Sequence, residues 1–474
     1  MRENVGKVKR KRVKKTQMNK KRSAFSGKIG YVLSAAGASV GLGNIWRFPY
    51  LAAKYGGGIF LLVYIILALT FGYTMIVAES ALGRMTRKSP VGAFRSFAKG
   101  KKVGWLSFGG WINAIIPVLI VPYYSVIGGW VVKYLFEYIR GNGSKLAEDG
   151  YFSGFISSGG ATEICFVIFC MFTLVIIYAG VQNGIERVSK IMMPILIVLS
   201  VIIAIYSVTR PGAIEGVKYF LVPNVKNFSW MTVVAAMGQM FYSLSIAMGI
   251  LVTFGSYMRK DTSIEDSTRN VEIFDTAIAM MAGLMIIPAV FAFSGGDPDT
   301  LQAGPSLMFI TIPKVFANMG FGTAVGILFF VLVLFAAVTS SIALTESAVS
   351  TFEDELGWGR KKATVLTGVI MITLGTLSCL GYGPLDFVKI IGMQFLDFFD
   401  FLTNSVMMPI AALMTSLLVS RVIGVDKIEE EIRHGESTFR RKKIFVVMIK
   451  YLCPIFALII LASSVANAFG WIAM

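Results

Sequence analysis

Near the start of the chain, Gly37-Ala38-Ser39-Val40-Gly41-Leu42-Gly43-Asn44 puts three glycines and a serine into the first long apolar run. Ile45-Trp46-Arg47-Phe48-Pro49 follows, adding a cation and a proline to the same run. Backbone freed from helical bonding at membrane depth survives only where protein buries it or a wet cavity meets it. An intramembrane Arg likewise needs a partner or water. The chemistry on offer is therefore binding by main chain: carbonyl oxygens for a cation, amides for an anion. A second interruption is Gln239-Met240-Phe241-Tyr242-Ser243-Leu244-Ser245-Ile246-Ala247-Met248-Gly249, with two serines and a glycine at mid-run and an amide at depth. Other reactive groups are scarce. Cys165, Cys170, Cys379 and Cys453 fall within or beside apolar segments without metal-ligand spacing, the pattern of inert small hydrophobes. The single His434 lies in a basic loop, and no nucleophile–base constellation appears, which argues against an enzyme.

The elements that must hold these residues are membrane helices. The 474 residues are 55% hydrophobic and only 15% charged, where a soluble protein carries about a quarter. Apolar runs long enough to span a bilayer recur throughout, at about 27–54, 58–86, 105–137, 161–180, 187–209, 230–258, 268–295, 322–355, 362–382, 387–418 and 445–472. The reading is an all-α polytopic membrane protein with about eleven transmembrane helices. The net charge of +18 does not signal nucleic acid, because the basic residues cluster between apolar runs and in residues 1–24, read as a disordered cytoplasmic arm. Loops 84–102, 259–260, 360–362 and 421–443 are Lys/Arg-rich, so the N-terminus is placed in the cytoplasm, and eleven spans then put the C-terminus outside the cell membrane. The apolar content of loop 296–321 suggests a segment folding back as a lid. The two interruptions fall in spans one and six. A lone small-residue stretch reads as close helix packing. Two of them one half-repeat apart point to a 5+5 inverted repeat with a site at the bilayer midplane. On that division repeat one covers about 27–209 and repeat two about 230–418, with an extra helix at 445–472, all within one transporter domain over 25–474.

Gly41 to Pro49, Gly56-Gly57-Gly58-Ile59-Phe60, Glu79 with Gly83-Arg84, Tyr123-Tyr124, Ser189-Lys190 with Met193-Pro194, Gln239 to Ser245, Thr339-Ser340-Ser341 and Glu353-Asp354-Glu355 together resemble the neurotransmitter:sodium symporters. The resemblance is to their bacterial branch, with the fold of the bacterial leucine transporter, and it covers about residues 22 to 470. It implies two sodium sites. The first would take the Ser39 carbonyl, Asn44, Ser243 and Asp275 with the substrate carboxylate. The second would take the Gly37, Val40 and Ala336 carbonyls with the Thr339 and Ser340 hydroxyls. All are hard oxygen donors. Asp275 replaces an amide of the leucine transporter, and Ala279 stands where that protein carries a compensating Glu. Asp275 is therefore expected to supply the fixed negative charge and make transport chloride-independent, with a proton as a candidate for the return step.

Monoamine-carrying relatives have an Asp at the position of Gly41, so Gly41 is expected to leave that place neutral and roomy. A substrate carboxylate would meet the Leu42 and Gly43 amides, where a helix start favours negative charge, and the Tyr124 hydroxyl. Its amine would meet carbonyls of Ser39, Tyr242 and Ser243 and the Ser245 hydroxyl. Ile120, Tyr242, Ala247, Met248, Ser340 and Leu344 complete a pocket with no charge for a side chain. The expected cargo is a neutral hydrophobic amino acid such as leucine, isoleucine, valine, methionine or an aromatic one. Met248, in place of a Phe, adapts to varied shapes. Arg47 with Asp400, helped by Gln239, resembles an outer gate. Arg22 with Asp354, near Tyr257, resembles an inner one, with Phe25 where relatives usually have Trp. Glu79 is expected to satisfy backbone amides of the second break. Partners are then the amino acid and the lipid bilayer, with a homodimer allowed. A non-transporting amino-acid sensor and an ion channel are the rival classes, although a channel filter usually needs symmetric repeats around a pore.

Overall fold

The computed structural model describes residues 22–98, 104–295 and 304–471. The basic arm up to residue 21, and its expected disorder, lie outside the described residues. Among these, nine helices are long and apolar enough to cross a membrane, the first Gly58–Thr86 and the last Lys442–Ala468. The two remaining elements of that length are the interrupted ones, and they complete the eleven spans expected. Burial sorts centre from rim. The third span (Gly104–Ile139) and the eighth (Gly322–Leu356) have 78% and 72% of their most apolar window buried, against 39% for the fourth (Gly160–Ala179) and 33% for the eleventh. Rim helices turn residues such as Ile168, Val175 and Leu458 outward, as a surface facing lipid must.

The packing repeats itself with partners exchanged. The first span packs on the seventh (Ile264–Ser294) as the sixth packs on the second. Likewise the fourth packs on the eighth as the ninth packs on the third, and the fifth on the eighth as the tenth on the third. Those swaps are what a 5+5 repeat demands. Small residues permit the closest approaches. Gly83 lies against the Val252 carbonyl and Gly255 against the Ser80 carbonyl, with no room for a Cβ at either. The C-terminal halves of the second and sixth spans thus touch backbone to backbone.

Two spans differ from the sequence expectation. The tenth helix begins at Phe395 and runs to Ile423, not 387–418, because Gly381, Gly383, Pro384 and Gly392 hold the preceding stretch in turns closed by an Ile390–Met393 bridge. The fifth begins at Val181 rather than 187, through a π-helical turn over Val181–Glu186. Part of the expected lid, 296–303, lies outside the described residues. The rest folds back as Leu307–Ala317, where Phe309 stacks on Phe152 and accepts a 2.8 Å bond from Tyr134 at its carbonyl.

Candidate binding site at the two helix breaks

The first span is helical over Lys28–Ser39, turns extended at Val40, and restarts as a π-helical turn at Gly43–Arg47 that runs into Phe48–Lys54. The sixth is capped by Ser229, whose side chain and that of Thr232 bond each other's backbone, and runs over Trp230–Ser243. It then unwinds until Gly249 and resumes over Ile250–Tyr257. The breaks face one another across a tight cavity of about 30 Å³ lined by Ala38, Ser39, Gly41, Leu42, Gly43, Asn44, Ile120, Tyr124, Tyr242, Ser245, Met248, Ser340 and Leu344. Every residue expected to hold substrate lines it except Ala247 and Ser243, and Ser243 is turned into a second cluster.

That cluster is a chain of buried oxygens and one amide. Asn44 Nδ2 donates to Ser243 Oγ at 2.9 Å and to Asp275 Oδ1 at 2.8 Å. Ser243 Oγ donates to Asp275 Oδ1 at 2.7 Å, and Tyr64 donates to Asp275 Oδ2 at 2.8 Å. Asp275 is fully buried with no cationic side chain among these partners. Polar bonds at both oxygens meet part of the cost of burying it, and a cation would meet the rest. Tyr64 was missed by the sequence reading, since a tyrosine in an apolar run carries no signal of its own.

A second group of oxygens lies where the first span meets the eighth. Ser340 Oγ stands 3.3 Å from the Gly37 carbonyl, 3.2 Å from that of Ala38 and 3.3 Å from that of Val40. Thr339 Oγ1 is 3.2 Å from the Ala336 carbonyl, and a Cβ at Gly37 would come within 3.2 Å of Thr339 Cβ. All five donors expected for the second sodium are therefore gathered there. The Ala38 carbonyl, which also accepts from Ser245 at 2.9 Å, is an addition.

Gly41 requires a correction. It is neutral but not roomy: a Cβ would sit 2.6 Å from Ser340 Oγ and 3.1 Å from Tyr124 Oη. Its amide donates to Asn44 Oδ1 at 3.1 Å, and that of Leu42 to Tyr124 Oη at 3.3 Å. Glu79 accepts one amide, that of Ala247, at 2.8 Å, and its other oxygen is buried without a partner.

The residues expected to form gates divide. Arg22 pairs with Asp354 at 2.5 Å and also donates to Ser256 and Ser350, with its guanidinium 5.0 Å from the Tyr257 ring centre. Phe25 meets Tyr257 and Phe254 edge-on. Arg47 and Asp400, expected as the outer pair, do not pair directly: among the described residues Arg47 has no ion pair within 4.0 Å. Arg47 instead lies over the Tyr242 ring at 5.5 Å, and Asp400 accepts from Tyr123 and Asn404. Gln239 donates to the Gly43 carbonyl at 3.1 Å. Arg47 is committed to the aromatic face and Asp400 to neutral donors, which is why the expected contact is absent.

Main-chain donors at two facing helix breaks inside a multi-pass bundle define a secondary-transporter architecture. Comparison with known proteins agrees. The model of the sodium:neurotransmitter symporter family matches residues 22–144 and 151–470, and the chain belongs to that family. It is 36% identical over 416 residues to the uncharacterized sodium-dependent transporter YhdH of Bacillus subtilis, covering 87% of this chain and 91% of that one. An uncharacterized sodium-dependent transporter of Haemophilus influenzae is 32% identical over 461 residues, covering 95% and 99%. The crystal structure of MhsT in complex with L-phenylalanine superposes with a TM-score of 0.83 at 36% identity, covering 94% of this chain and all of that one. The chain is thus a sodium-dependent multi-pass membrane transporter of a family of transporters, not of enzymes.

Proposed function

We propose that the protein is a symporter that uses two sodium ions to import a neutral hydrophobic amino acid by alternating access. The observation that carries this reading is the cavity itself. Its lining combines main chain, hydroxyls and the Asn44 amide with Ile120, Met248, Leu344 and the rings of Tyr124 and Tyr242. No charged side chain lines it, so a cargo with an ionised side chain would be buried unpaired at a cost of several kcal/mol. The substrate carboxylate is held by the Leu42 and Gly43 amides and Tyr124. The amine is held by the Ser39, Tyr242 and Ser243 carbonyls and Ser245. The L-phenylalanine in the MhsT complex supports this cargo class.

Sodium enters as a co-substrate. The first ion is held by Ser39, Asn44, Ser243 and Asp275, and the second by Gly37, Val40, Ala336, Thr339 and Ser340. Asp275 supplies the countercharge that makes chloride unnecessary, and Tyr64 holds its second oxygen. Each ion entering through about 100 mV gains roughly 2.3 kcal/mol, and a tenfold gradient adds about 1.4 kcal/mol. Two ions then supply roughly 7 kcal/mol, a limit on the order of 10⁵-fold accumulation. The N-terminus lies in the cytoplasm and the C-terminus outside the cell membrane. Arg22 and Asp354 close the inner side, with side-chain exposures of 16% and 25%. Arg47 and Asp400 close the outer side through Tyr242 and Tyr123.

Uptake of radiolabelled amino acids into proteoliposomes, with and without a sodium gradient, tests the reading. Accumulation of leucine or phenylalanine is expected only with the gradient and unchanged in gluconate. Preference for lysine or glutamate, or binding without counterflow, would end it.

A further inference from the structure

The cytoplasmic loop between the tenth and eleventh spans does more than set topology by its charge. Its helix Val425–Arg433 buries Val425, Ile428, Glu431 and Ile432 and turns Asp426, Lys427 and Glu430 to solvent. Three of the four buried residues are apolar, as spacing on one helix face requires; Glu431 puts a carboxylate on that same face. Its partner is Arg84 of the second span, fully buried, whose Nε reaches Glu431 Oε1 at 2.6 Å and whose fork also takes the Glu431 carbonyl. The remaining donor of Arg84 goes to the Thr262 carbonyl at 2.5 Å, in the turn that leaves the sixth span. Gly435 packs on the same turn, where a Cβ would lie 2.6 Å from the Thr262 carbonyl.

Further on, the loop is fastened to the seventh span. Glu265 accepts the amides of Arg440 and Arg441 at 2.9 and 3.0 Å, and Glu436 accepts the amide of Glu265 at 2.7 Å. Arg441 pairs with buried Glu272 at 3.3 Å and lies 4.6 Å from the Tyr73 ring centre. The clamped turn stands directly behind the inner gate. Arg87 donates to the Ser256 carbonyl at 3.1 Å, and the Ser256 hydroxyl accepts from Arg22.

We propose that residues 425–441 are a strap holding the inner half of the sixth span in its gate-closing position, with Glu431 as the positioning residue acting through Arg84. The proposal rests on the inner-gate reading given above. Removing the Glu431 charge weakens a charge-assisted bond and lets Thr262, and Ser256 with it, move away from Arg22.

The test uses the full chain with Cys165, Cys170, Cys379 and Cys453 replaced by alanine. A reporter cysteine is placed at Ser347, which faces Gly249 and Thr253 between cavity and gate. In saturating sodium, Glu431→Gln and, at the strap's other end, Glu265→Gln are expected to raise the labelling rate by a water-soluble thiol reagent about tenfold. Glu429→Gln, on the same helix but paired outward with Lys442 and Arg433, is expected to leave it unchanged. Arg22→Ala calibrates the gate. Labelling raised by Arg22→Ala but by neither strap variant overturns the strap and spares the gate. No rise with Arg22→Ala overturns both. An equal rise with Glu429→Gln overturns the assignment to Glu431.

Discussion

The two broken helices reach the same function by different backbone means. In the first, no residue between Gly37 and Gly43 has a positive φ. The chain turns extended at Val40, and its carbonyls are met by hydroxyls of Ser340 and Ser245 that belong to other spans. In the sixth, Ser245, Ala247 and Gly249 all adopt left-handed backbone, with φ of 53°, 61° and 69°. Such conformations cost non-glycine residues on the order of 1 kcal/mol or more each. They persist because Glu79 holds the Ala247 amide, and because the second span lies flush against the half-helix that follows. The sixth break is strained and anchored; the first is relaxed and lightly held. Glycine therefore means different things in the two. At Gly41 and Gly43 it permits close approach to Ser340 and the Tyr242 ring, whereas at Gly249 it permits a conformation.

This contrast can be broken by substitution. Gly41→Asp puts a side chain where a Cβ already meets Ser340 Oγ at 2.6 Å. Uptake should fall at least about 100-fold, equal to roughly 2.7 kcal/mol, with amine substrates failing to rescue it. Next in size is Asp275→Asn, which removes the countercharge proposed for the first sodium. Transport in chloride-free medium should drop by more than about tenfold, and added chloride should restore part of it in the same vesicles. Arg47→Ala loosens the aromatic cover at Tyr242. Turnover is expected to fall about tenfold while equilibrium binding changes less than about threefold, a split that uptake and scintillation-proximity binding resolve together.

The smallest effect is the sharpest on the comparison. Ala247→Gly should relieve left-handed strain and hold or raise thermal stability by up to about 1 kcal/mol. Ala38→Gly, in helical backbone at the first break, should lower it by about the same amount. Equal shifts of one sign in a melting assay would show that the breaks are alike after all.

Much of this was legible in the chain. Span number, the two interruptions, and the group Asn44, Ser243 and Asp275 follow from hydropathy, from glycine and serine placement, and from family motifs. Glu79 was assigned to the sixth break, and it does bond there, though to one amide only. Less legible were Tyr64, the Ala38 carbonyl, and Arg47 and Asp400, which take other partners than each other. A motif names side chains, but a carbonyl belongs to every residue alike, and a tyrosine in an apolar run looks like core.

By itself the sequence determined that the chain crosses a membrane about eleven times and that backbone is set free at two matched places. The physical reason is that lipid tolerates no unbonded peptide group, so apolar length and its interruptions are local signals. Tertiary structure alone decided what the freed groups meet. It brought Ser340 of the eighth span onto three carbonyls of the first, made Gly41 tight rather than roomy, and laid Glu431 on Arg84 across 347 residues of chain. Those contacts depend on how helices distant in sequence pack, and on a few tenths of an ångström at glycine, which no local pattern of residue types encodes.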